Sequence, residues 1–373
     1  MAHVVIIGGI PDSLIHLRGP LIGALVRAGH RVTAMAGGRG EAWVEEELVE
    51  LGATFVTYPL DRTGKGPLAD VATMRGLVQR FRDLKPDTVI AYTAKPVIWG
   101  ALAARRARVS HFHAMITGLG DQFTGGKGRL SGWLIPALYR RALLSVDTVI
   151  FQNTEDRDFF LSRRLVQPEQ TACVAGSGID LGLWHQVPLP AGPPRFLMIA
   201  RMVASKGMRE YHEAARRIRK DYPDVKFVLA GPLEKGARAV GLDELEAWHE
   251  SGVIEYLGNL QKVRATMLET HVYVLPSYYG EGLPRTILEA MASGRPVLST
   301  HNVGCRDAVE DGVTGRLIPP RDADALEAEL RWFLQNRDAW ERMGNAGRRR
   351  VETHFDAHKV CIDLLGITGL AAS

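Results

Sequence analysis

Residues 276–294 read PSYYGEGLPRTILEAMASG, and they are the most informative stretch of the chain. They overlap the end of one apolar run, VYVLPS at 272–277, and precede a second, PVLST at 296–300. Between the two runs lies a glycine-flanked turn, followed by apolar residues at helical spacing from about Pro284 onward. Proline suits the first turn of a helix because its missing N–H would have no partner there. The pattern predicts strand, turn, helix and strand, which is the repeating unit of a parallel sheet.

The same alternation of apolar runs and helical stretches continues on both sides of PLPAGPPR, residues 188–195, which has the composition of a linker. Nearly continuous apolar strands separated by helices predict parallel sheets covered on both faces. We therefore expect two doubly wound α/β domains, with ligands bound beyond the carboxyl ends of the strands and a cleft between the domains as the obvious site. The predicted strands are 3–9, 31–37, 54–60, 88–92, 110–116, 147–153, 171–177, 195–201, 226–231, 253–258, 272–277, 296–300 and 315–319.

Composition excludes several classes of protein. The 373 residues are 46% hydrophobic and 24% charged, as in an ordinary soluble globular protein. No run approaches the roughly 18 apolar residues that a membrane span requires. Three distant cysteines, Cys173, Cys305 and Cys361, form no C-x-x-C pair, which disfavours disulfide scaffolds and cysteine zinc sites. Together with a first strand that follows Met1 without a basic leader, this composition leads us to expect a cytoplasmic protein.

The net charge of +4 is unevenly distributed. One block, residues 95–141, contains a single acid, Asp121, and predicts an anionic partner such as phosphate, diphosphate or acidic lipid; a solvated helix face is the alternative. Within it, residues 129–144 suit either an interfacial helix, kinked at Pro136, or a helix packed on the sheet with its arginines reaching solvent. The apolar residues of that helix are Trp133, Leu134, Leu138 and Leu143, and the basic residues of the block are Lys95, Arg105, Arg106, Arg108, Lys127, Arg129, Arg140 and Arg141.

Two pairs of charged residues are expected at the carboxyl edge of the second sheet. Arg201 ends a predicted strand, and Lys206 follows five residues later, just before a helix. Such cations suit a diphosphate, which needs bidentate and point-charge donors. Glu281 lies in the turn and Glu289 eight residues on, beside a helix start whose free N–H groups attract phosphate oxygens. Ionised carboxylates accept hydrogen bonds from sugar hydroxyls. The alternatives are exposed loop cations, a capping acid and a surface acid.

Other motifs weaken competing cofactor assignments. Gly8-Gly9 follows the first strand but is not a G-x-G-x-x-G fingerprint, so a nicotinamide cofactor is disfavoured. Residues 124–128, TGGKG, lack the Ser or Thr and the leading glycine of a P-loop. Asp156 and Asp158 are typical of a helix start, where the dipole favours acids. No metal site and no resident cofactor are therefore predicted.

The spacing of Arg201 and Lys206, the Glu281-x7-Glu289 motif within EGLPRTILEAMASGRPVLS, and the later DGVTGRLIPPRD resemble glycosyltransferase family 4 over nearly the whole chain. Residues 116–123, ITGLGDQF, are similar to bacterial N-acetylhexosaminyltransferases that extend undecaprenyl-diphosphate-linked oligosaccharides. The resemblance implies a retaining enzyme of the GT-B fold. It also implies three segments: an acceptor-side domain at 1–188, a nucleotide-sugar domain at 189–354, and a final helix at 355–373 that packs back on the first domain.

Site roles follow from the same resemblance. Arg201 and Lys206 would neutralise the nucleotide diphosphate, Glu281 would contact donor-sugar hydroxyls, and Glu289 would hold the ribose. The remaining donor-binding positions are Gly8, Gly9, Gly282, Leu283 and Thr286.

A side-chain base is not evident in the sequence. Where relatives often carry a histidine near the reacting carbon, this chain has Thr117, and His113 is an alternative within the preceding strand. The resemblance implies that a base is dispensable, because the departing phosphate oxygen can accept the proton.

The resemblance thus predicts transfer of an N-acetylhexosamine from a UDP-sugar to a polyprenyl-diphosphate-linked oligosaccharide in bacterial surface glycan or exopolysaccharide synthesis. The expected partners are the nucleotide sugar, the lipid-linked acceptor and an anionic membrane surface at the inner face of the cytoplasmic membrane, and no nucleic acid is expected. The sequence leaves open a GDP-mannose or UDP-galacturonate donor, a nucleotide-sugar 2-epimerase, and a non-catalytic nucleotide-sugar sensor.

Overall fold

The alternating sequence folds into two parallel sheets, one of seven strands and one of six. The computed structural model describes residues 1–38, 42–61, 67–119, 131–234, 236 and 238–371. Part of the motif at 116–123, together with the 124–128 segment and Lys127 and Arg129, lies outside the described residues. All predicted strands form within about two residues of their expected bounds, except the strand predicted at 171–177, which ends at Cys173. Two parallel sheets covered by helices confirm the α/β fold class.

The first sheet has the order β3-β2-β1-β4-β5-β6-β7. Its strands are β1 (His3–Gly8), β2 (Arg31–Gly37), β3 (Ala53–Tyr58), β4 (Thr88–Tyr92), β5 (His111–Ile116), β6 (Thr148–Phe151) and β7 (Thr171–Cys173). The helices between them are α1 (Pro11–His16), α2 (Gly19–Arg27), α3 (Ala42–Glu50), α4 (Pro67–Leu84), α5 (Ala94–Ala107), α6 (Ser131–Leu143) and α7 (Thr154–Ser162).

The second sheet has the order β10-β9-β8-β11-β12-β13. Its strands are β8 (Arg195–Ile199), β9 (Lys226–Ala230), β10 (Glu255–Tyr256), β11 (Val272–Leu275), β12 (Val297–Thr300) and β13 (Gly315–Ile318). Its helices are α8 (Met208–Ile218), α9 (Leu242–Glu250), α10 (Val263–Leu268), α11 (Arg285–Ala292), α12 (Val303–Ala308), α13 (Ala323–Gln335) and α14 (Asp338–His354), and α15 (Ala357–Thr368) follows them in the chain.

The chain forms two compact units, residues 1–177 with 357–373 and residues 178–356. The last helix, α15, therefore belongs to the first unit, where Val360, Cys361 and Leu364 are buried in the same apolar cluster as Leu21 and Leu25 of α2. That cluster covers one face of the first sheet, and a second cluster, with residues of α4, α5 and α6, covers the other.

The boundary between the two units lies between Ser177 and Gly178. The sequence analysis placed this boundary about ten residues later, at the proline-rich segment. The guanidinium of Arg295, which is fully buried in the second unit, explains the difference. It donates hydrogen bonds to the carbonyl oxygens of Val187 at 2.7 Å and Pro188 at 3.3 Å, so the start of the proline-rich segment is fixed to the second unit. Burial lowers the pKa of Arg295 to about 10.

Helix α6 packs on the first sheet. Leu143 and Tyr139 are buried in its core, and Leu138 lies partly buried against it. For Leu138, Tyr139 and Leu143 the packed alternative is therefore observed, whereas the side chains of Trp133 and Leu134 lie outside the part of the chain that the structure describes. Arg140 and Arg141 at the end of the helix are exposed. No helix among the described residues has the length and apolar character needed to cross a bilayer.

Candidate functional site

Strand order reverses once in each sheet, between β1 and β4 in the first and between β8 and β11 in the second. Open α/β sheets bind ligands beyond the carboxyl ends of the strands at such a reversal. In the second unit, the loop after β8 carries Arg201 and Lys206, and the loop after β11 carries Glu281. The topology thus brings the predicted cations and the first predicted acid to neighbouring strand ends.

Lys206 and Glu281 are in direct contact. The Lys206 ammonium forms an ion pair with Oε1 of Glu281, and the Ser277 hydroxyl donates to the same oxygen at 2.9 Å. Their side chains are only 12% and 11% exposed, so the ion pair is poorly screened by solvent. The predicted diphosphate-binding lysine and the predicted sugar-binding acid are therefore each other's partners.

Gly207 fixes the two loops against each other. Its φ of +84° lies in the left-handed region, and a Cβ atom there would lie 2.1 Å from the carbonyl oxygen of Pro276. The backbone N–H of Tyr278 donates to the carbonyl oxygen of Ser205 at 2.9 Å. Only glycine permits this approach, which places Lys206 beside the β11 loop.

Tyr279 joins the two cations, a feature that the sequence analysis missed. Its ring centre lies 4.8 Å from Lys206 Nζ and 5.5 Å from Arg201 Cζ, within the range of cation–π attraction. Arg201 also donates a hydrogen bond to Glu234 Oε1 at 2.9 Å. Arg201 and Lys206 thus flank one aromatic ring, and each is paired with its own carboxylate.

The helix α11 begins at Arg285, directly after Pro284, close to the predicted start. Thr286 lies in the first turn of α11, and its hydroxyl oxygen is 2.6 Å from the hydroxyl oxygen of Tyr273. The Tyr273 hydroxyl is also 3.1 Å from the carbonyl oxygen of Ile199. Gly282 and Leu283 lie in the turn before the helix, and the carbonyl oxygen of Gly282 would be 1.9 Å from a Cβ on Gly304 of α12. The helix start therefore lies at the edge where Lys206 and Glu281 meet.

Glu289 lies one turn further along α11 and is 8% exposed. The Nε atom of Arg285 donates to Glu289 Oε1 at 2.9 Å. Burial raises the pKa of Glu289, and the charge and hydrogen bond of Arg285 oppose that rise. Arg285 is a second residue that the sequence analysis did not identify. Its position four residues before Glu289 was the available signal.

In the first unit, Gly8 and Gly9 lie at the strand reversal next to Tyr92 and Thr93. A Cβ on Gly8 would lie 2.2 Å from the Tyr92 hydroxyl oxygen, and the Tyr58 hydroxyl donates to the Gly8 carbonyl oxygen at 2.8 Å. The glycine at position 8 is therefore required by Tyr92, whatever else it contacts. Thr93 has φ +68° and ψ 153°, a backbone conformation that is essentially confined to glycine and is typical of functional sites.

The two acceptor-side candidates lie at different depths. Thr117 directly follows β5, at the carboxyl edge. His113 is 4% exposed and pairs in register with Ile90 and Thr148, three residues before the end of the strand. Burial lowers its pKa, and neither ring nitrogen has a hydrogen-bond partner among the described residues. The structure therefore separates His113 from the strand edge that Thr117 occupies.

Comparisons with known proteins agree with this geometry. A model described as "Glycosyl transferase 4-like domain" matches residues 19–177, and one described as "Glycosyl transferases group 1" matches residues 184–350. The chain belongs to the family 4-like glycosyltransferases. Arg201, Lys206, Glu281 and Glu289 of this glycosyltransferase all lie within the group 1 match.

Individual relatives extend this result. The glycosyltransferase is 26% identical over 340 residues, 87% of each chain, to N,N'-diacetylbacillosaminyl-diphospho-undecaprenol alpha-1,3-N-acetylgalactosaminyltransferase of Campylobacter jejuni. Its fold matches Anabaena Alr3699/HepE in complex with UDP and glucose, with a TM-score of 0.78 at 17% identity over 98% of this chain and 99% of that one. It also matches sucrose-phosphate synthase from Thermosynechococcus elongatus, with a TM-score of 0.80 at 19% identity over the whole of both chains. The predicted GT-B fold is thereby confirmed.

No group of three or more His, Cys, Asp or Glu side chains suited to a metal ion occurs in the part of the chain that the structure describes. Instead, the charged groups at the second sheet's edge are Arg201 and Lys206 with their carboxylates. The two cations can bind an anion with two negative groups if that anion displaces Glu234 from Arg201 and Glu281 from Lys206.

Proposed function

We propose that this glycosyltransferase transfers a sugar, with retention of configuration, from a UDP-sugar to a polyprenyl-diphosphate-linked oligosaccharide in bacterial surface glycan or exopolysaccharide synthesis. An N-acetylhexosamine is the sugar we favour. The observation that carries the proposal is the meeting of Arg201, Lys206 and Glu281 around Tyr279, beside the start of α11. The name of the Campylobacter relative supports the lipid-linked acceptor, and the Anabaena complex supports the UDP-sugar.

The proposed donor site works by exchange of ion pairs. Diphosphate oxygens take the place of the Glu281 carboxylate on Lys206 and of Glu234 on Arg201, since both pairs already present a cation at the sheet edge. The displaced Glu281 is then available to accept hydrogen bonds from donor-sugar hydroxyls, and Glu289 accepts those of the ribose. Main-chain N–H groups near Leu283 and Thr286, at the start of α11, meet the phosphates.

The proposed chemistry needs no side-chain base. The bond between the sugar's anomeric carbon and the diphosphate oxygen breaks as the acceptor hydroxyl oxygen bonds to the same carbon from the same face. The hydroxyl proton passes to the departing phosphate oxygen. Arg201 and Lys206 stabilise the charge that develops on the diphosphate, and we propose that they do so without a divalent metal. Activity that survives prior treatment with EDTA is the corresponding expectation.

Replacing Lys206 tests the assignment directly. Lys206→Ala removes a preorganised charge donor, and such losses lower kcat by roughly 10²–10³. We expect that decrease in a protein that still folds, although the change lowers the free energy of unfolding because it leaves the largely buried Glu281 carboxylate without its cation. Lys220→Ala, at an exposed position of the same unit, is the matched control. A folded Lys206→Ala enzyme with normal turnover would contradict the proposed role.

A panel of nucleotide sugars tests the donor. The protein is mixed in turn with UDP-N-acetylhexosamines, UDP-galacturonate and GDP-mannose, and its thermal unfolding is measured with each ligand. A ligand at 100 times its dissociation constant stabilises a protein by about 2.7 kcal/mol, so the preferred donor gives the largest shift. Stabilisation by GDP-mannose alone would overturn the UDP-sugar assignment. Epimerised product from UDP-N-acetylglucosamine alone would favour the isomerase instead of the transferase.

We further propose that the protein works as a peripheral protein at the inner face of the cytoplasmic membrane, where a lipid-linked acceptor resides. Exposed arginines in the first unit support this proposal through their attraction to anionic lipid. They lie at the ends of α5 and α6 and are Arg105, Arg106, Arg108, Arg140 and Arg141.

A further inference from the structure

Arg285 occupies the first position of α11 and makes an ion pair with Glu289 one turn later. The Nε···Oε1 distance is 2.9 Å, and the side chains are 18% and 10% exposed. Exposed pairs with this spacing contribute little to helix stability. A largely buried pair instead determines the charge and the direction of its carboxylate.

Among the described residues, Arg285 is the cation that acts on the Glu289 carboxylate. From β11, Tyr273 interacts electrostatically with Glu289, and burial keeps that phenol neutral by raising its pKa. The nearest helices carry cations that are engaged elsewhere. Arg348 of α14 binds the carbonyl oxygens of Trp184 and Ala292 and the carboxylate of Glu352, while Arg264 of α10 contacts His185.

The ionisation state of Glu289 determines whether its carboxyl group can accept hydrogen bonds from two ribose hydroxyls. Its burial favours the protonated acid, and Arg285 supplies the opposing interaction. An ionised carboxylate presents two oxygens that only accept hydrogen bonds, whereas the protonated acid presents a donor to any vicinal hydroxyl pair. A site that accepts two ribose hydroxyls therefore requires the ionised form.

Arg285 also has hydrogen-bonding capacity in reserve. Its buried NH1 atom has no partner among the residues that the structure describes. A buried N–H group without a partner is costly, and the cost is relieved when a ligand brings an acceptor oxygen. The guanidinium therefore suits a place next to a bound nucleotide better than a purely structural position.

We infer that Arg285 is a positioning residue for the donor, whose guanidinium holds Glu289 as an ionised, oriented carboxylate that accepts the ribose hydroxyls. This inference rests on the proposed function, because it assigns the ribose of a nucleotide sugar to Glu289. It adds a residue and a charge requirement that neither the motif nor its spacing identifies.

The test measures UDP binding by calorimetry between about pH 6 and about pH 9. Without the guanidinium, the pKa of Glu289 rises further, and each unit of rise costs tenfold in ionised carboxylate at pH values below it. Arg285→Gln is therefore expected to weaken UDP binding about tenfold at the low end of the range and to recover toward the wild-type value as pH rises. Arg285→Lys, which retains the charge, is expected to restore most of the affinity at low pH.

Two further probes separate a positioning role from a structural one. The nucleotide 2′,3′-dideoxy-UDP lacks the ribose hydroxyls, so its weaker binding should be the same in wild type and Arg285→Gln. Arg331→Gln removes an equivalent Arg–Glu pair, four residues apart on α13, and should bind UDP as the wild type does. Circular dichroism and thermal unfolding establish whether each variant is folded. If Arg285→Gln does not fold, Arg285→Lys still tests the inference.

The outcomes distinguish the inference from the function beneath it. If Glu289→Gln weakens UDP binding but Arg285→Gln leaves it unchanged, or weakens it equally at every pH, the positioning role is wrong and the donor site stands. If Arg285→Gln weakens the dideoxy nucleotide as much as UDP, the role is also wrong. If the wild type does not bind UDP, or Glu289→Gln binds it normally, the proposed donor site itself fails.

Discussion

The charged residues at the carboxyl edge of the second sheet occur in pairs of opposite charge. Arg201 is paired with Glu234, Lys206 with Glu281 and Arg285 with Glu289. Two of these cations belong to the proposed diphosphate site, so a bound diphosphate replaces existing partners rather than filling a bare positive surface. In the exchange that we propose, the net affinity reflects the difference between phosphate and carboxylate as partners, and the Glu281 carboxylate that is released becomes an acceptor for the sugar hydroxyls.

His113 gives a prediction at this scale. Because burial lowers its pKa in the folded chain, the unfolded chain binds the proton first as the pH falls through about 6.5, and stability is lost below that value. His113→Leu removes two buried nitrogens that have no partner among the described residues. We expect it to retain activity, and to reduce the loss of unfolding free energy on acidification by up to about 1.4 kcal/mol per pH unit.

Chemical denaturation at a series of pH values measures that slope. His354→Leu, at an exposed position on α14, serves as the control and should leave the slope as in the wild type. An unchanged slope for His113→Leu would show that His113 is already protonated or hydrated in the folded protein. Loss of turnover in a stable His113→Leu protein would return it to the list of candidate bases.

Among the secondary-structure elements, strands and helices were predictable because apolar periodicity is a local property of the sequence. The Glu281-x7-Glu289 spacing likewise predicted a turn and a helix in the right place. The partners of the charged residues were not predictable in this way. Glu234 reaches Arg201 and Tyr279 reaches both cations only after β8, β9 and β11 have paired, and nothing in the local sequence specifies those contacts. The strained backbone of Thr93 was equally invisible, because threonine ordinarily avoids that conformation.

Gly207 gives a prediction for the β8 loop. Gly207→Ala combines the left-handed penalty of about 1–2 kcal/mol with a clash against the Pro276 carbonyl. We expect unfolding to become easier by more than that penalty, and turnover to fall because Lys206 moves. Gly252→Ala is the matched control, since its φ is +70° and its Cβ would meet no atom within 4 Å. Thermal unfolding and turnover are compared for the two variants, and equal effects would exclude the clash as a contributor.

For the whole molecule, the membrane attachment that we propose depends on the distribution of charge. The exposed arginines lie near the ends of α5 and α6, two helices that pack against each other in the first unit. Each basic side chain close to an anionic membrane contributes about 1 kcal/mol, and the attraction decays within a Debye length. Several arginines together can therefore hold the protein at a surface that no single one could.

Flotation with vesicles containing anionic phospholipid measures this attachment. We expect binding at low ionic strength that decreases as salt is added. Arg105→Glu combined with Arg106→Glu should abolish most of it, whereas Arg342→Glu combined with Arg349→Glu, an equal change of charge on α14, should not. Equal losses in both double variants would mean that only net charge matters, and no binding by the wild type would remove the membrane proposal.

The discontinuous make-up of the first unit affects how the protein is made. A ribosome releases all of residues 178–356 before it has released α15, which the first unit requires to cover Leu21 and Leu25. The half that is translated first therefore waits, with one side of its sheet incompletely covered, until α15 has been released, and the half translated second can finish folding before it. A fragment that stops at Ser177 would keep that uncovered side permanently, whereas the second unit is one continuous segment, residues 178–356.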